Sequence, residues 1–271
     1  MGAGLNRAFR LVDTPTHTVD VFGDVAILST YAEVDLERVL AAIPSPTVYL
    51  KKRPVEARTV VQEEVAPLTP LRGPPVEELV AEENGLKFEI RPTNGLSVGL
   101  YLDAGGPRAW VREHAKGKTV LNLFAYTCGF SVAARAGGAS RVLNVDRSRK
   151  VLDWGERNHL LNGFSVERRD FLAGDAFEWI PRLARKGEQF DLVVLDPPSF
   201  ATSAKSRFSA ARDYAGLVRQ TAPLVRETLL ACCNLEAADA KTVRGWVGQS
   251  MKVVEQLPAP GALKVFVARP R

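Results

Sequence analysis

The spacing of apolar residues changes near residue 90 and divides the chain into two parts. In the first part, the apolar runs Thr18–Phe22 and Val25–Thr30 flank Gly23-Asp24 and predict a β-hairpin. Glu33–Ile43 has helical apolar spacing and stops at Pro44. Further strands are predicted at Val48–Lys51, Glu78–Ala81 and Leu86–Ile90. We therefore expect residues 1–90 to form a small α+β domain.

From residue 91 onward, strand-like and helix-like stretches alternate, which predicts a mostly parallel sheet covered by helices on both faces. The predicted strands are Thr119–Phe124, Arg141–Val145, Val166–Arg169, Phe190–Leu195, Leu229–Cys232, Val253–Gln256 and Leu263–Val267. The predicted helices are 130–136, 148–162, 176–186, 209–226 and 238–250. Because a short loop joins the last two strands, one strand should be antiparallel. Residues 91–271 are thus expected to form an α/β domain with a seven-stranded sheet.

The composition of the chain indicates what kind of partner it could bind, but it does not identify a function. The 271 residues carry a net charge of +5, a mild excess that suits a polyanionic partner such as RNA. No apolar run reaches the roughly 18–20 residues that span a membrane. The three cysteines form no CxxC pair and the three histidines are scattered, so we expect neither a metal site nor disulfides. Reducing cytoplasm is the expected compartment, and the oligomeric state does not follow from the pattern.

Residues 120–146 predict a βαβ unit that binds the adenosine end of a cofactor. An apolar strand enters a tight turn at Thr127–Gly129, a helix of small residues follows, and a second strand ends on Asp146. An acid at the tip of the second strand is typical of adenosine-binding folds.

The turn favours S-adenosylmethionine over a dinucleotide. A pyrophosphate needs G-x-G-x-x-G, whereas this turn offers only Gly129, and the chain contains no P-loop. S-adenosylmethionine has no phosphates and needs a carboxylate for its ribose hydroxyls. Asp146 suits that role, with an ordinary acid at a strand end as the alternative. Asp175 suits the adenine amino group, or else it caps the helix that begins at Ala176.

The fourth strand of the second part ends in Asp196-Pro197-Pro198-Ser199-Phe200, a five-residue variant of a motif typical of methyltransferases that act on base amino groups. Two prolines fix the backbone and remove two amide donors, which presents Asp196 at the cleft. Phe200 could stack on a base. Lys205, Arg207 and Arg212 follow in a turn-rich segment and could contact phosphates, with a solvated loop as the alternative.

Cys232 and Cys233 end the next strand, where only one thiol can face the cleft because neighbouring side chains alternate. Either thiol could simply be buried. Methylation of carbon-5 of a pyrimidine, however, requires a thiolate that first adds to carbon-6. Methyl transfer to a base nitrogen remains the alternative enzymatic hypothesis, and it would leave Cys233 dispensable.

Five motifs in order resemble the bacterial 23S ribosomal RNA methyltransferases of the RlmI type, which modify cytosine carbon-5, and the related guanine-methylating RlmK type. They are GLSVGLYLDAGGPR, VLNLFAYTCGF, LNVDRSRKVLDWGERNHLLNG, FDLVVLDPPSF and LLACCN. The resemblance covers about residues 76–271. It implies a Rossmann-like class I fold, S-adenosylmethionine as cofactor and ribosomal RNA as partner.

The resemblance also assigns roles within these motifs. It places Thr127 to Gly129 at the methionine end of the cofactor, Asp146 at the ribose, Asp175 at the adenine and Asp103 beside the cofactor. Cys233 takes the place of the nucleophile, and Asp196 contacts the target base. By position in the same motifs we also assign Phe124, Tyr126, Cys128, Arg147 and Asp196 to the cofactor and Pro197, Pro198 and Phe200 to the substrate. Lys205 and Arg207, which follow the fourth motif, are assigned to the substrate as well.

Two stretches depart from the family pattern. The expected Leu-Asp-Gln-Arg is Leu102-Asp103-Ala104-Gly105 here, and Val225–Thr228 replaces an expected Pro-Gly-Gly turn. The family's N-terminal PUA domain also has no counterpart in the sequence. These departures keep open a third hypothesis, a module that binds the cofactor without turnover.

Overall fold

A computed structural model describes residues 6–53, 62–202 and 207–271 of the chain. It divides into two compact units, Met1–Asp103 and Ala104–Arg271. The domain ranges expected from the sequence, 1–90 and 91–271, stay a prediction.

The first unit contains a four-stranded sheet, whose strands lie side by side in chain order, and a separate hairpin. Its elements are β1 (Ala8–Asp13), β2 (His17–Phe22), β3 (Val25–Thr30), α1 (Leu36–Ala42), β4 (Thr47–Lys52), α2 (Gln62–Val65), β5 (Leu79–Glu83) and β6 (Leu86–Ile90). The predicted helix begins at Leu36, three residues late, because Asp35 caps it by accepting from the Arg38 N–H. Its apolar face packs on the core of the sheet.

The predicted hairpin β2-β3 is present, and the two predicted strands β5 and β6 also form a hairpin, which turns at Asn84-Gly85 with positive φ at both residues. Strand β1 was not predicted from the sequence. Its large apolar residues Phe9 and Leu11 are exposed, so the usual pattern of buried apolar positions is absent.

The second unit is built on a seven-stranded sheet, whose strands lie in the order Lys252–Leu257, Lys264–Arg269, Val225–Cys233, Phe190–Leu195, Thr119–Leu123, Arg141–Asp146 and Phe171–Ala173. Its strands are β7 (Thr119–Leu123), β8 (Arg141–Asp146), β9 (Phe171–Ala173), β10 (Phe190–Leu195), β13 (Val225–Cys233), β14 (Lys252–Leu257) and β15 (Lys264–Arg269), with the small hairpin β11 (Phe200–Thr202) and β12 (Arg207–Ser209) beside them. Strand β15 pairs antiparallel with both of its neighbours, while β13 to β9 are parallel. The expected sheet with one antiparallel strand is confirmed.

Helices cover both faces of this sheet. They are α3 (Gly105–His114), α4 (Gly129–Ala136), α5 (Arg149–Leu161), α6 (Ala176–Arg185), α7 (Ala210–Thr221) and α8 (Ala240–Gly248). Helix α3 was not predicted, because it opens with two glycines and Pro107, which are weak or early-turn helix residues. Its inward side chains, including Val111, join the core under one face of the sheet.

Two sequence predictions in this unit are wrong. Val166–Arg169 is not a strand: a 3-10 turn occupies Arg168–Asp170, and the strand is Phe171–Ala173, where buried Phe171 pairs with Asn144 of β8. The helix expected to reach residue 226 stops at Thr221, because Val225–Thr228 already forms the start of β13. The segment that departs from the family's turn is therefore part of the sheet.

Candidate active site

The carboxyl ends of the parallel strands meet at one edge of the sheet, where open α/β folds bind ligands. The loop after β7 has an unusual backbone there. Phe124, Tyr126 and Cys128 have positive φ values of 60°, 48° and 63°. Left-handed backbone costs a non-glycine residue about 1–3 kcal/mol and concentrates at functional sites. Three such residues in five mark this loop as the first part of the site.

Helix α5 holds that loop in place. The Nδ2 of buried Asn158 donates to the carbonyl of Thr127 at 2.9 Å. Gly155 lies against Cys128 so closely that a Cβ built on it would lie 2.3 Å from the Cys128 sulfur. Cys128 itself is fully buried, and burial raises the pKa of its thiol well above the usual range. Cys128 is thus a packing residue under the loop.

Asp146, at the end of β8, ties the two strand ends together. Its carboxylate accepts from the N–H of Tyr126 at 2.8 Å and from the N–H of Ser148 at 2.9 Å. Burial raises the pKa of Asp146, while these backbone donors and the N–H of Arg147 favour the charged form. Arg147 is exposed beside it.

Asp175 follows β9 and caps α6 by accepting from the N–H of Phe177 at 3.0 Å. Asp175 is therefore the N-cap of α6, and its proposed contact with the adenine amino group stays a prediction. The Phe177 ring packs edge-on against Phe124, with centroids 5.7 Å apart. Asp146, Asp175 and the loop after β7 follow three adjacent parallel strands.

The donor set at this edge fits S-adenosylmethionine. Cys128, the N-cap of α4, makes no side-chain bond to the first turn, which leaves that turn's N–H groups to receive a carboxylate. Asp146 presents a partly buried carboxylate that suits ribose hydroxyls, and the Phe124–Phe177 pair forms an apolar surface beside it. Gly129 is the one glycine of the turn, so a pyrophosphate would lack the close backbone approach that it needs.

The segment after β10 presents Asp196 next to Cys233. Leu195 pairs with Ala231 across β10 and β13, so the two residues follow at adjacent strand ends. Burial raises the pKa of the Cys233 thiol, and the carboxylate of Asp196 raises it further. Pro197 is buried and Phe200 is 71% exposed at the start of β11.

The two cysteines face opposite ways, as alternation predicts. Cys232 joins the core on one face of the sheet and Cys233 joins the core on the other. Cys233 is only 1% exposed. The hydroxyl of Ser199 donates to the carbonyl of Asn234, which ties the Asp196 segment to the turn after Cys233.

For four other predicted residues, the described part of the chain supports no place in this geometry. Lys205 lies outside the described residues, and of Arg207 only the backbone, in β12, is described. Arg212 is not in a turn: it lies on α7 and pairs with Asp213 at 2.8 Å. Asp103 ends the first unit, in a short 3-10 helix, so its place beside the cofactor stays a prediction.

Sequence reasoning missed Gly155 and Asn158. An isolated glycine within a helical pattern indicates close packing and was the available signal for Gly155. Within the described ranges, no three or more His, Cys, Asp or Glu side chains are grouped to hold a metal ion. No helix of the described chain is both long and apolar enough to cross a membrane.

The sheet order, the strained loop after β7 and the acid at the end of β8 define a Rossmann-like, S-adenosylmethionine-binding class of protein. The chain belongs to the S-adenosylmethionine-dependent methyltransferase family, which matches residues 56–263. The cofactor and the family expected from the sequence are thereby confirmed.

Individual relatives agree with this assignment. Ribosomal RNA large subunit methyltransferase I of Aeromonas salmonicida is 36% identical over 74% of this chain and 52% of its own length. Ribosomal RNA large subunit methyltransferase K of Neisseria meningitidis is 43% identical over 48% of this chain and 36% of its own. The crystal structure of SMU.776, described as a candidate methyltransferase complexed with SAH, superposes with a TM-score of 0.86 at 26% identity, over 98% of this chain and 76% of that one. The chain spans about half the length of the first relatives that it matches.

Proposed function

We propose that this chain methylates carbon-5 of cytosine in large-subunit ribosomal RNA. The observation that carries the proposal is the placement of Cys233 beside Asp196, at the ends of two neighbouring parallel strands. The names of the relatives support ribosomal RNA as the substrate, and the net charge of +5 suits a polyanion.

The proposed reaction begins when the Cys233 thiol loses its proton and its sulfur bonds to carbon-6 of the ring. The electron pair displaced from the double bond makes carbon-5 nucleophilic. When bound, S-adenosylmethionine would supply the methyl group as an electrophile, with S-adenosylhomocysteine as the leaving group. Loss of the carbon-5 proton to a base, for which we propose Asp196, restores the double bond and expels the Cys233 thiolate.

The other residues would bind and orient. Asp146 would hold the ribose of the cofactor, and Phe200 would stack on a base because its side chain is exposed. The cytoplasm, which we propose as the compartment, keeps Cys233 reduced.

RNA containing 5-fluorocytosine tests the cysteine mechanism. Carbon-5 then carries fluorine in place of the proton that must leave, so the enzyme should remain covalently attached to the RNA through Cys233. We expect an adduct with the wild type and with Cys232→Ala, the matched control, and none with Cys233→Ala. An adduct with Cys233→Ala would refute the proposal.

Methyl transfer to a base nitrogen is the second candidate. The burial of Cys233, at 1% exposed, favours it because a nucleophile must reach its substrate. In that case Asp196 and the backbone carbonyls of Pro197 and Pro198 would bind an amino group. Unchanged methyl transfer by Cys233→Ala, without any adduct, would support it.

A further inference from the structure

Lys264 occupies a defined place beside Cys233. It begins β15 and stands directly opposite Cys233 in the antiparallel register with β13. Side chains opposite each other in such a pair share a face, with Cβ atoms about 4.5–5.5 Å apart. Lys264 is partly buried, so its charge is only partly screened by water.

One hydrogen bond ties the lysine to the turn that follows Cys233. The Nζ of Lys264 donates to the carbonyl of Leu235 at 2.8 Å. The backbone N–H of Leu235 in turn lowers the pKa of the Cys233 thiol and so favours the thiolate. Lys264 therefore holds the residue whose N–H acts on the thiol.

The groups around Cys233 have opposite effects on the pKa of its thiol. Burial and the carboxylate of Asp196, at the end of β10, raise the pKa of the thiol, while the ammonium of Lys264 lowers it. Tyr214, on α7, is kept neutral because burial raises its pKa, and its hydroxyl donates to the carbonyl of Cys232 at 2.7 Å. Asp239 is the N-cap of α8. Its pKa is lowered mainly by hydrogen bonds from Thr242, and the positive charge of Lys264 adds to that effect. Among these described groups around Cys233, Lys264 is the one that carries a positive charge.

We propose that Lys264 is the positioning residue that prepares Cys233 for nucleophilic attack. Its ammonium stabilises the thiolate left when the proton passes to solvent, and its bond to Leu235 keeps the N–H donor aimed at the sulfur. This inference rests on the proposed function, because only an adduct mechanism needs the thiolate. Lys264 itself need not touch the RNA.

A titration of the thiolate by its ultraviolet absorbance tests the inference. Each protein is compared with its own Cys233→Ser partner, so that the difference reports Cys233 alone, and neither RNA nor cofactor is present. We expect Lys264→Met to move the midpoint upward by about one pH unit. Lys264→Gln, which keeps a donor for Leu235 without the charge, should move it by less, and Lys264→Arg should stay close to the wild type.

Lys252→Met is the matched control, since Lys252 is an exposed lysine on β14 of the same sheet and should leave the midpoint unchanged. A wild-type midpoint in both Lys264→Met and Lys264→Gln would overturn the inference. If Lys264→Met does not fold, as judged by circular dichroism, the Gln and Arg variants decide the question.

The enzymatic readout separates this inference from the proposed function. Lys264→Met should lower kcat for methyl transfer with the KM for S-adenosylmethionine unchanged, and part of the rate should return as the pH is raised. A wild-type protein that makes no 5-methylcytosine would refute the proposed function, while the thiolate titration would still judge the role of Lys264.

Discussion

Replacing Gly155 by alanine tests whether α5 holds the cofactor loop by close packing. A Cβ at this position would lie 2.3 Å from the sulfur and 2.9 Å from the Cβ of Cys128, and 3.3 Å from the carbonyl carbon of Thr127. Cys128 is fully buried and has a φ of 63°, so the loop has little freedom to move away. The alanine therefore has to displace backbone that carries the proposed methionine-end site.

The size of the effect follows from two opposed terms. Alanine in place of glycine within a helix gains about 1 kcal/mol of helix propensity, whereas overpacking a tight site costs about 1–3 kcal/mol. At a 2.3 Å approach we take the upper part of that range, so the net loss should be about 1–2 kcal/mol. Gly216, on α7, is the matched control, because a Cβ there meets nothing within 4 Å and Gly216→Ala should gain up to about 1 kcal/mol.

Urea unfolding and calorimetric titration with S-adenosylmethionine measure both consequences. Gly155→Ala should lower the free energy of unfolding and weaken cofactor binding about tenfold, which corresponds to about 1.4 kcal/mol. The double variant with Cys128→Gly removes the two closest contacts and suits the positive φ, so it should recover most of the stability. If Gly155→Ala is as stable as Gly216→Ala and binds the cofactor like the wild type, the packing argument is wrong.

Three further variants test separate parts of the structure. Asp146→Asn should weaken S-adenosylmethionine binding by about 10–100-fold in calorimetry, because hydrogen bonds to a charged group contribute about 1.5–3 kcal/mol. The control is Asp191→Asn, at the opposite end of the sheet beside Thr119, which should leave the affinity for S-adenosylmethionine unchanged. Ser131→Ala should destabilise the chain by about 2 kcal/mol in urea unfolding, because it leaves two buried asparagine side chains without their shared partner; a loss below 0.5 kcal/mol, roughly the level of a surface change, would contradict this. Burial lowers the pKa of His159 from 6.5 to about 4, so the free energy of unfolding should fall by about 2–3 kcal/mol as the pH drops from 6.5 towards 4. His159→Phe should flatten that fall, and an unchanged pH slope would count against the buried neutral imidazole.

The sheet of the second unit could be predicted because its strands are continuous apolar runs separated by amphipathic helices. Elements that lack this pattern of apolar runs or amphipathic spacing were not predicted correctly. The strand Phe171–Ala173 has only three residues, too few to show a strand pattern, and the prediction fell on the neighbouring Val166–Arg169 instead. Helix α3 opens on Gly105, Gly106 and Pro107, and packing in the core outweighs their low propensity.

The residues of the proposed site likewise fall into those that the sequence predicts and those that it does not. Asp146, Asp196 and Cys233 could be located because each follows a strong strand signal. The positive φ values of Phe124 and Tyr126 could not, since nothing in their residue types favours left-handed backbone. Lys264 was missed because it meets Cys233 through an antiparallel register that only the folded sheet establishes.

Mass spectrometry of nucleosides tests the central claim most directly. Unmodified large-subunit ribosomal RNA is incubated with the protein and S-adenosylmethionine carrying an isotopic label in its methyl group, and then digested. We predict that the label appears in 5-methylcytidine with the wild type and disappears with Cys233→Ala, while Cys232→Ala retains it. Label on a guanine or adenine nitrogen, or label in 5-methylcytidine with Cys233→Ala, would contradict the account.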